Sequence, residues 1–271
     1  MLNLEKIDFY GRNAFHSKTI ELKYGIKEMP GPNPGNNEIY YTIGCGHEPE
    51  LLQKLFTNAK VGIVHWIGTD VMCLQHDGVK PIHKDPRIVH FCDWYNLKVE
   101  LAEMGINAEV VIHEPANMPK EVVPLGDEVM VYMPELRHEF FRYDLMKQCE
   151  EEYKKQTGKE FTWIDTRGGD WDAMRKFDTL GQMAKCRTLI RAPEHDGCSH
   201  TVLEMLLAGR SVLHTVPMPY CRHIEPTVES IMANIDKPPY KEAPYFYRNL
   251  LQDRGLIPAL ERVMKQYEIF N

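Results

Sequence analysis

The amino-acid sequence predicts an α/β protein built from two Rossmann-like domains that face each other across a cleft, with a C-terminal helix returning to the first domain. Two observations support this fold class. Short apolar runs alternate with helical stretches through the first half of the chain, and the alternation restarts after 116–127, a proline-containing segment with neither periodicity. We therefore expect a first domain at 1–120, a second at 128–243 and the helix at 244–271.

The first half contains five apolar runs that are short enough to be strands of a parallel sheet. Helical stretches lie between them. Glu48 and Glu50 suit the first turn of the helical stretch at 49–59, and Gly105 is expected to end the one at 94–105. The predicted strands cover 4–11, 38–46, 60–68, 87–93 and 108–115, and the predicted helices cover 49–59 and 94–105. This spacing predicts β-α-β units with helices on both faces of the sheet.

The second half repeats the strand–helix pattern. Its longest helical stretch places four apolar residues on one side, namely Phe140, Phe141, Leu145 and Cys149. The predicted strands cover 128–134, 160–166, 187–193 and 210–216, and the predicted helices cover 138–158, 170–186 and 200–209. A helix-like tail at 245–270 ends the sequence. In such sheets ligands bind at the carboxyl ends of the strands, so the loops there are the first place to look for chemistry.

Composition narrows the class of protein. The length of 271 residues suits two compact domains, and 43% hydrophobic with 26% charged residues is ordinary for a globular protein. A net charge of −7 argues against binding that depends on neutralising phosphates, although a local basic cleft remains compatible with it. Seven cysteines without a C-x-x-C pair indicate free thiols. Without a signal-peptide pattern or a membrane-length apolar run, we expect a cytoplasmic protein.

The stretch HDGCSHTVLEMLLAGRSVL at 195–213 predicts an acidic loop, a helix and a strand. Ser199 is the expected N-cap of the helix, and Gly209 ends it. The open amides and partial positive charge of a helix N-terminus suit a phosphate or diphosphate. Asp196 and Glu204 flank this helix mouth. Ionised carboxylates there would accept hydrogen bonds from sugar and ribose hydroxyls.

This stretch resembles the C-terminal signature of retaining GT-B glycosyltransferases, in which two acids separated by seven residues precede a helix with small residues and G-x-P-V-I. Here the pattern is Asp196-x7-Glu204 followed by AGRSVL, with Asp as the first acid where Glu is usual. The resemblance implies that Asp196 contacts the donor sugar and that Glu204 contacts the donor ribose. It covers roughly 60–215 and is strongest at 185–213.

Looser matches extend the resemblance. VYMPELRHEFFR offers Arg137-x4-Arg142 where the family has an Arg-x4-Lys pair on the donor diphosphate, and Arg191 is a third cation of the same cleft. VHWIGTD resembles the loop whose histidine contacts the donor sugar, which maps to His65, with Asp70 close by. The expected catalytic residues are His65, Asp70 and Asp196, and the expected donor-binding residues are Arg137, Arg142, Arg191, Gly197, Ser199, His200, Thr201 and Glu204.

Structural interpretations compete with these roles. A histidine at a strand end, such as His65, is often simply hydrogen-bonded in the core, and the two arginines of the R-x4-R pair could form exposed ion pairs with Glu135, Glu139 or Asp144. The glycines of TRGGD at 166–170 form a turn or let the backbone approach a nucleotide base. The Cys- and His-containing segment 73–92 has ligand types that zinc uses, but its spacings fit no standard zinc motif, so we expect no metal site.

The sequence thus indicates a glycosyltransferase that moves a sugar from a nucleotide-sugar donor to a hydroxyl acceptor, with retention and without a metal or other cofactor. The acceptor stays open between a glycan, a lipid-linked glycan and a hydroxymethylated base in DNA, of which DNA is disfavoured by the net charge of −7. The oligomeric state also stays open. The alternatives are a nucleotide-sugar epimerase of the same fold and a non-catalytic nucleotide-sugar sensor.

Overall fold

A computed structural model describes residues 4–12, 14–32, 37–115, 118–134, 137–164, 179–267 and 269. The chain forms two compact units, each with a five-stranded parallel sheet. Unit 1 comprises Met1–Ala116 and Leu251–Asn271, and unit 2 comprises Asn117–Leu250. The domain boundaries expected from the sequence stay a prediction. Within the described part of the chain, none of the helices is both long and apolar enough to cross a bilayer.

In unit 1 the strands follow one another across the sheet in the order of the chain. They are β1 (Ile7–Gly11), β2 (Ile39–Ile43), β3 (Val61–Trp66), β4 (Ile88–Cys92) and β5 (Ala108–Val110), and each pairs in parallel with the next. The helices are α1 (Ala14–Tyr24), α2 (Pro49–Leu55), α3 (Thr69–Asp77) and α4 (Tyr95–Glu103), with 3₁₀ turns at Leu4–Lys6 and Pro81–Lys84. The strand order of the described residues therefore contains no reversal, unlike that of a doubly wound sheet.

The core of unit 1 combines the sheet with the end of the chain. Phe9 and Tyr41 of neighbouring strands are fully buried, and Leu260 and Val263 of the last helix belong to the same apolar cluster. The predicted C-terminal helix is divided into two helices. They are named α9 (Ala243–Arg254) and α10 (Leu256–Gln266), because four helices of unit 2 precede them in the chain. Gly255 separates them, and no other residue fits there without a shift, because a Cβ at this position would lie 2.5 Å from the carbonyl oxygen of Leu251.

Unit 2 has the strand order β10-β9-β8-β6-β7. The strands are β6 (Glu128–Tyr132), β7 (Thr162–Ile164), β8 (Cys186–Arg191), β9 (Ser211–His214) and β10 (Arg222–His223). The helices between them are α5 (Tyr143–Thr157), α6 (Thr179–Lys185), α7 (His200–Leu207) and α8 (Val228–Met232). From β6 the chain adds β7 on one side and then returns to add β8 on the other. The crevice between the carboxyl ends of β6 and β8 is therefore the switch point at which α/β sheets bind ligands.

The described part of the predicted linker, 118–127, is packed against unit 2. The guanidinium of Arg210 is fully buried and donates hydrogen bonds to the carbonyl oxygens of Met183 (2.7 Å), Val123 (2.8 Å) and Pro124 (2.7 Å). Arg210 thus fastens the segment to the second sheet. Residues 116 and 117 lie outside the described residues.

Candidate functional site

A cation and an aromatic ring occupy the switch point of unit 2. Arg191 is the last residue of β8, and its guanidinium carbon lies 4.4 Å from the centre of the Tyr132 ring, at the end of β6. The same carbon is 5.1 Å from the ring of Phe141, which precedes α5. The carboxyl ends of β6 and β8 are thus joined by a cation–π contact in the crevice where a ligand is expected.

Asp196 is held in a largely buried ion pair with this arginine. Nε of Arg191 donates to Oδ2 of Asp196 at 2.5 Å, and Nη2 donates to Oδ1 at 3.2 Å. Nε2 of His214, at the end of β9, lies 3.2 Å from the same Oδ2. Burial raises the pKa of Asp196, but the charge of Arg191 and the hydrogen bonds from His214 and Arg191 outweigh it and keep the pKa well below its usual range. Asp196 is therefore an ionised, partnered carboxylate.

The mouth of α7 lies three residues after Asp196. Ser199 is the N-cap, as predicted, but its hydroxyl makes no capping hydrogen bond, contrary to expectation. By helix geometry, the first-turn amides of Thr201 and Val202 have no carbonyl partner within the helix. Gly197 and His200 are buried, whereas Ser199 and Thr201 are partly exposed. The structure thus places these four predicted donor-binding residues on one short segment around a helix N-terminus.

Glu204, in the second turn of α7, is a buried carboxyl group that receives no hydrogen bond from the described residues. It is 7% exposed, and burial raises its pKa from the usual 4.5 to about 8. At neutral pH the unliganded protein therefore keeps Glu204 protonated. The cause is that burial penalises the charge while no described residue compensates for it, and the expected ionised form in the donor-bound site stays a prediction.

The raised pKa of Glu204 predicts a pH dependence of stability. Because the folded pKa of about 8 exceeds the usual 4.5, the folded state holds one proton more than the unfolded state between these values. The stabilisation is complete below the lower pKa and is lost as pH rises through the upper one, by about 1.4 kcal/mol per pH unit in that window. Urea unfolding across the window should show this loss in the wild type and not in Glu204→Gln. Parallel pH curves for the two proteins would contradict the assignment.

The two arginines of the predicted R-x4-R pair differ in their surroundings. Arg137 is exposed, and its guanidinium carbon lies 4.0 Å from the centre of the Phe140 ring. The guanidinium carbons of Arg137 and Arg191 both approach the ring of Phe141, at 5.7 Å and 5.1 Å from its centre, so the two cations flank one aromatic ring. The backbone amide of Glu194, in the loop that contains Asp196, donates to the carbonyl of Phe140 at 3.1 Å. The arginine segment is thus attached to the acidic loop.

Arg142 has no ion pair or hydrogen bond from its side chain to any residue in the described ranges, and its Nε is buried. It is the N-cap of α5 and adopts the left-handed conformation, with φ 59° and ψ 51°. The alternative ion pairs of Arg142 with Glu139 and Asp144 are not formed, and Glu135 lies outside the described residues. A buried guanidinium nitrogen without a partner is costly, so this arginine suits an anionic ligand.

His65, in unit 1, is fully buried and hydrogen-bonded on both ring nitrogens. Its Nε2 lies 2.9 Å from the carbonyl oxygen of Val111 and 3.0 Å from Oδ1 of Asp93. Since a carbonyl only accepts, Nε2 must bear the proton, and the hydroxyl of Tyr41 donates to Nδ1 at 2.7 Å. This geometry matches the structural alternative, in which His65 is simply hydrogen-bonded in the core. The contact of His65 with a donor sugar stays a prediction.

Asp70 follows the same strand at the start of α3. It is 2% exposed, and its Oδ1 accepts from the amides of Ile67 (2.9 Å) and Val71 (3.1 Å). Burial raises the pKa of Asp70 to about 6, and the nearby charge of Asp93 adds to this effect. Its catalytic role also stays a prediction.

Sequence reasoning did not single out two residues of these clusters, Asp93 and His214. Each stands at or just after the carboxyl end of a strand, in VHFCD and RSVLHTV. That position was the available signal, but it did not show which other side chains would lie beside them.

The described residues contain no group of three or more His, Cys, Asp or Glu side chains that could hold a metal ion. In the segment considered for zinc, His90 accepts from Nε1 of Trp66 at 3.1 Å, and His83 accepts from the amide of Lys80 at 2.9 Å. These imidazoles are thus engaged in hydrogen bonds of the core. The TRGGD segment at 166–170 lies outside the described residues.

Two parallel α/β sheets in one chain match the architecture of GT-B glycosyltransferases. No protein-family model matches the sequence, and a search of curated proteins finds no match. Among solved structures, the chain is similar to TarM, with TM-score 0.53 and 12% identity over 84% of this chain and 54% of that one. A mutant of S. aureus TarM in complex with fondaparinux, alpha-GlcNAc-glycerol and UDP gives TM-score 0.54 and 13% identity over 84% and 55%.

The pneumococcal O-GlcNAc transferase GtfA, in complex with UDP and GlcNAc, is also similar, with TM-score 0.50 and 10% identity over 84% of this chain and 56% of that one. At such identities the likeness concerns the fold. The chain spans little more than half the length of these structures. The α/β fold of the chain is accordingly similar to that of these structures.

Proposed function

We propose that the protein is a retaining glycosyltransferase that transfers a sugar from a nucleotide-sugar donor to a hydroxyl acceptor without a metal ion. The observation that supports this most is the edge of the second sheet at its switch point. There the mouth of α7 follows β8, and the helix after β6 begins at Arg142, whose guanidinium has no partner among the described residues. A cation and open helix amides are a suitable pair for a diphosphate.

In this proposal the first-turn amides of α7 and Arg142 bind the diphosphate and stabilise the charge that develops on it as the glycosidic bond breaks. Glu204 lies one turn further along the same helix. It loses its proton when the donor binds and accepts hydrogen bonds from the ribose hydroxyls. The predicted roles of His65 and Asp70 in unit 1 remain part of the proposal without further support from their geometry. Seven free thiols support the proposed cytoplasmic location.

Uridine diphosphate sugars are the first donors to test, because TarM and GtfA were both solved with UDP. We expect the protein to release UDP from a radiolabelled UDP-sugar panel in the presence of EDTA and to label a hydroxyl acceptor. The acceptor panel should include glycans, lipid-linked glycans and hydroxymethylated duplex DNA. An altered sugar nucleotide without transfer would indicate an epimerase, and tight binding without turnover would indicate a sensor.

Thermal-shift titration supplies the matching binding test. At a hundred times its dissociation constant, UDP should stabilise the fold by about 2.7 kcal/mol. Uridine should stabilise it far less, because it lacks the phosphates that contact the helix mouth and the cations. Equal effects of UDP and uridine, or turnover that requires added Mn²⁺ or Mg²⁺, would contradict the proposed diphosphate site.

A further inference from the structure

We infer that His214 is a positioning residue: its Nε2–H holds Asp196 against Arg191 and so fixes the loop 192–199 that forms the mouth of α7. In this arrangement Asp196 works as the anchor of the loop rather than as the sugar contact that its place in the D-x7-E pattern suggests. The inference rests on the proposed function for its catalytic consequence, but the anchoring itself is a property of the fold.

The hydrogen-bond directions follow from the partners of His214. The backbone amide of Val216 donates to Nδ1 at 2.8 Å, so that nitrogen bears no proton. Nε2 must then carry the proton of a neutral imidazole, and it donates to Oδ2 of Asp196 at 3.2 Å. His214 is fully buried, so water does not compete for its bond with the amide of Val216. One side chain thus connects the end of β9 to the acidic loop in a fixed tautomer.

Two further bonds show that this loop is held on both sides. The hydroxyl of Thr215, next to His214, donates to the carbonyl of Pro193 at 2.6 Å. On the other side, the amide of Glu194 donates to the carbonyl of Phe140 at 3.1 Å. The loop ends at Ser199, where α7 begins. A shift of Asp196 therefore moves the amides that are proposed to bind the diphosphate.

The charges of Arg191, Asp196 and His214 also determine which cation can attract an anionic ligand. Arg191 and Asp196 neutralise each other, and His214 is uncharged, so the three side chains together have no net charge. The ion pair therefore weakens the net attraction of Arg191 for a diphosphate, and its Nη1, which is buried without a partner among the described residues, is the atom left to donate to a ligand. The function of Arg191 is to anchor Asp196 from β8 as His214 does from β9. The net charge that attracts the ligand then comes from Arg142 and the helix mouth, with Arg137 beside them at the Phe141 ring.

Two variants of His214 separate the anchoring bond from mere packing. In His214→Gln the amide nitrogen reaches the place of Nε2 and can donate to Asp196. In His214→Asn the side-chain oxygen takes the place of Nδ1 and can accept from Val216, but nothing reaches Asp196. Both variants lose the imidazole ring, so each is the packing control for the other.

We expect His214→Asn to bind UDP about 10- to 100-fold more weakly than wild type, as for a lost hydrogen bond to a charged group. His214→Gln should recover most of this loss. Hydrogen exchange of 192–199 should be faster in His214→Asn than in His214→Gln, with or without UDP. Equal exchange in the two variants would overturn the inference. Failure of the wild type to bind UDP would instead overturn the proposed function, while the exchange rates still decide the anchoring.

Discussion

Arg142→Ala should lower kcat for glycosyl transfer by about 10²–10³, the usual cost of removing one preorganised contact to developing charge. The side chain of Arg142 forms no ion pair with the described residues, so its removal breaks no hydrogen bond or ion pair among them. Alanine also keeps a side chain at a left-handed position, where φ is 59°, and so leaves the backbone strain unchanged. The loss of activity should therefore occur in a protein of wild-type stability.

Arg187→Ala is the matched control. Arg187 also has a buried Nε, but its guanidinium pairs with Asp236, and it lies at the amino end of β8, away from the switch point. This variant should retain wild-type kinetics. Arg142→Lys should fall between the two, because an ammonium keeps the charge but loses the planar fork that binds phosphate oxygens. Kinetics of Arg142→Ala equal to those of Arg187→Ala would exclude a diphosphate contact by Arg142.

The sequence was sufficient for β1 to β9 but not for the two-residue strand β10 (Arg222–His223), nor for every helix. The predicted run 60–68 contains β3 (Val61–Trp66) because a strand buried on both faces is a continuous apolar run. α1 (Ala14–Tyr24) was missed because its polar and apolar residues are spread around the helix without a stripe. The break at Gly255 was missed because LLQDRGLIPALERV keeps helical spacing, and the break follows from the approach of Leu251 and Glu114.

The candidate site shows the same division between local and long-range information. The N-cap position of Ser199 and the placement of Glu204 in the second turn follow from local spacing and were predicted. The pairing of Asp196 with His214 joins residues 18 apart in the chain on neighbouring structural elements, so no local pattern indicates it. The protonation of Glu204 likewise depends on burial by the whole unit. Strand order, which determines the switch point, is also set by tertiary packing.

The segment that was predicted to be a linker provides the largest expected effect on stability. Arg210→Ala removes a fully buried guanidinium that donates to three backbone carbonyls, two of them in this segment. Each buried acceptor left without a donor costs about 1–3 kcal/mol, and the truncated side chain leaves a cavity as well. We expect the free energy of unfolding of unit 2 to fall by about 3–5 kcal/mol.

Urea unfolding and hydrogen exchange together test this role of Arg210. The amide of Val123, which donates to the carbonyl of Ala208 at 3.3 Å, should exchange much faster in Arg210→Ala, because the segment is released from the second sheet. Arg210→Lys should lose less stability, since an ammonium can still reach some of the three carbonyls. Arg187→Ala again serves as the control, because a partly exposed ion pair contributes at most about 1 kcal/mol. If Arg210→Ala unfolds at the same urea concentration as this control, the segment is held by its backbone contacts alone and Arg210 does not fasten it.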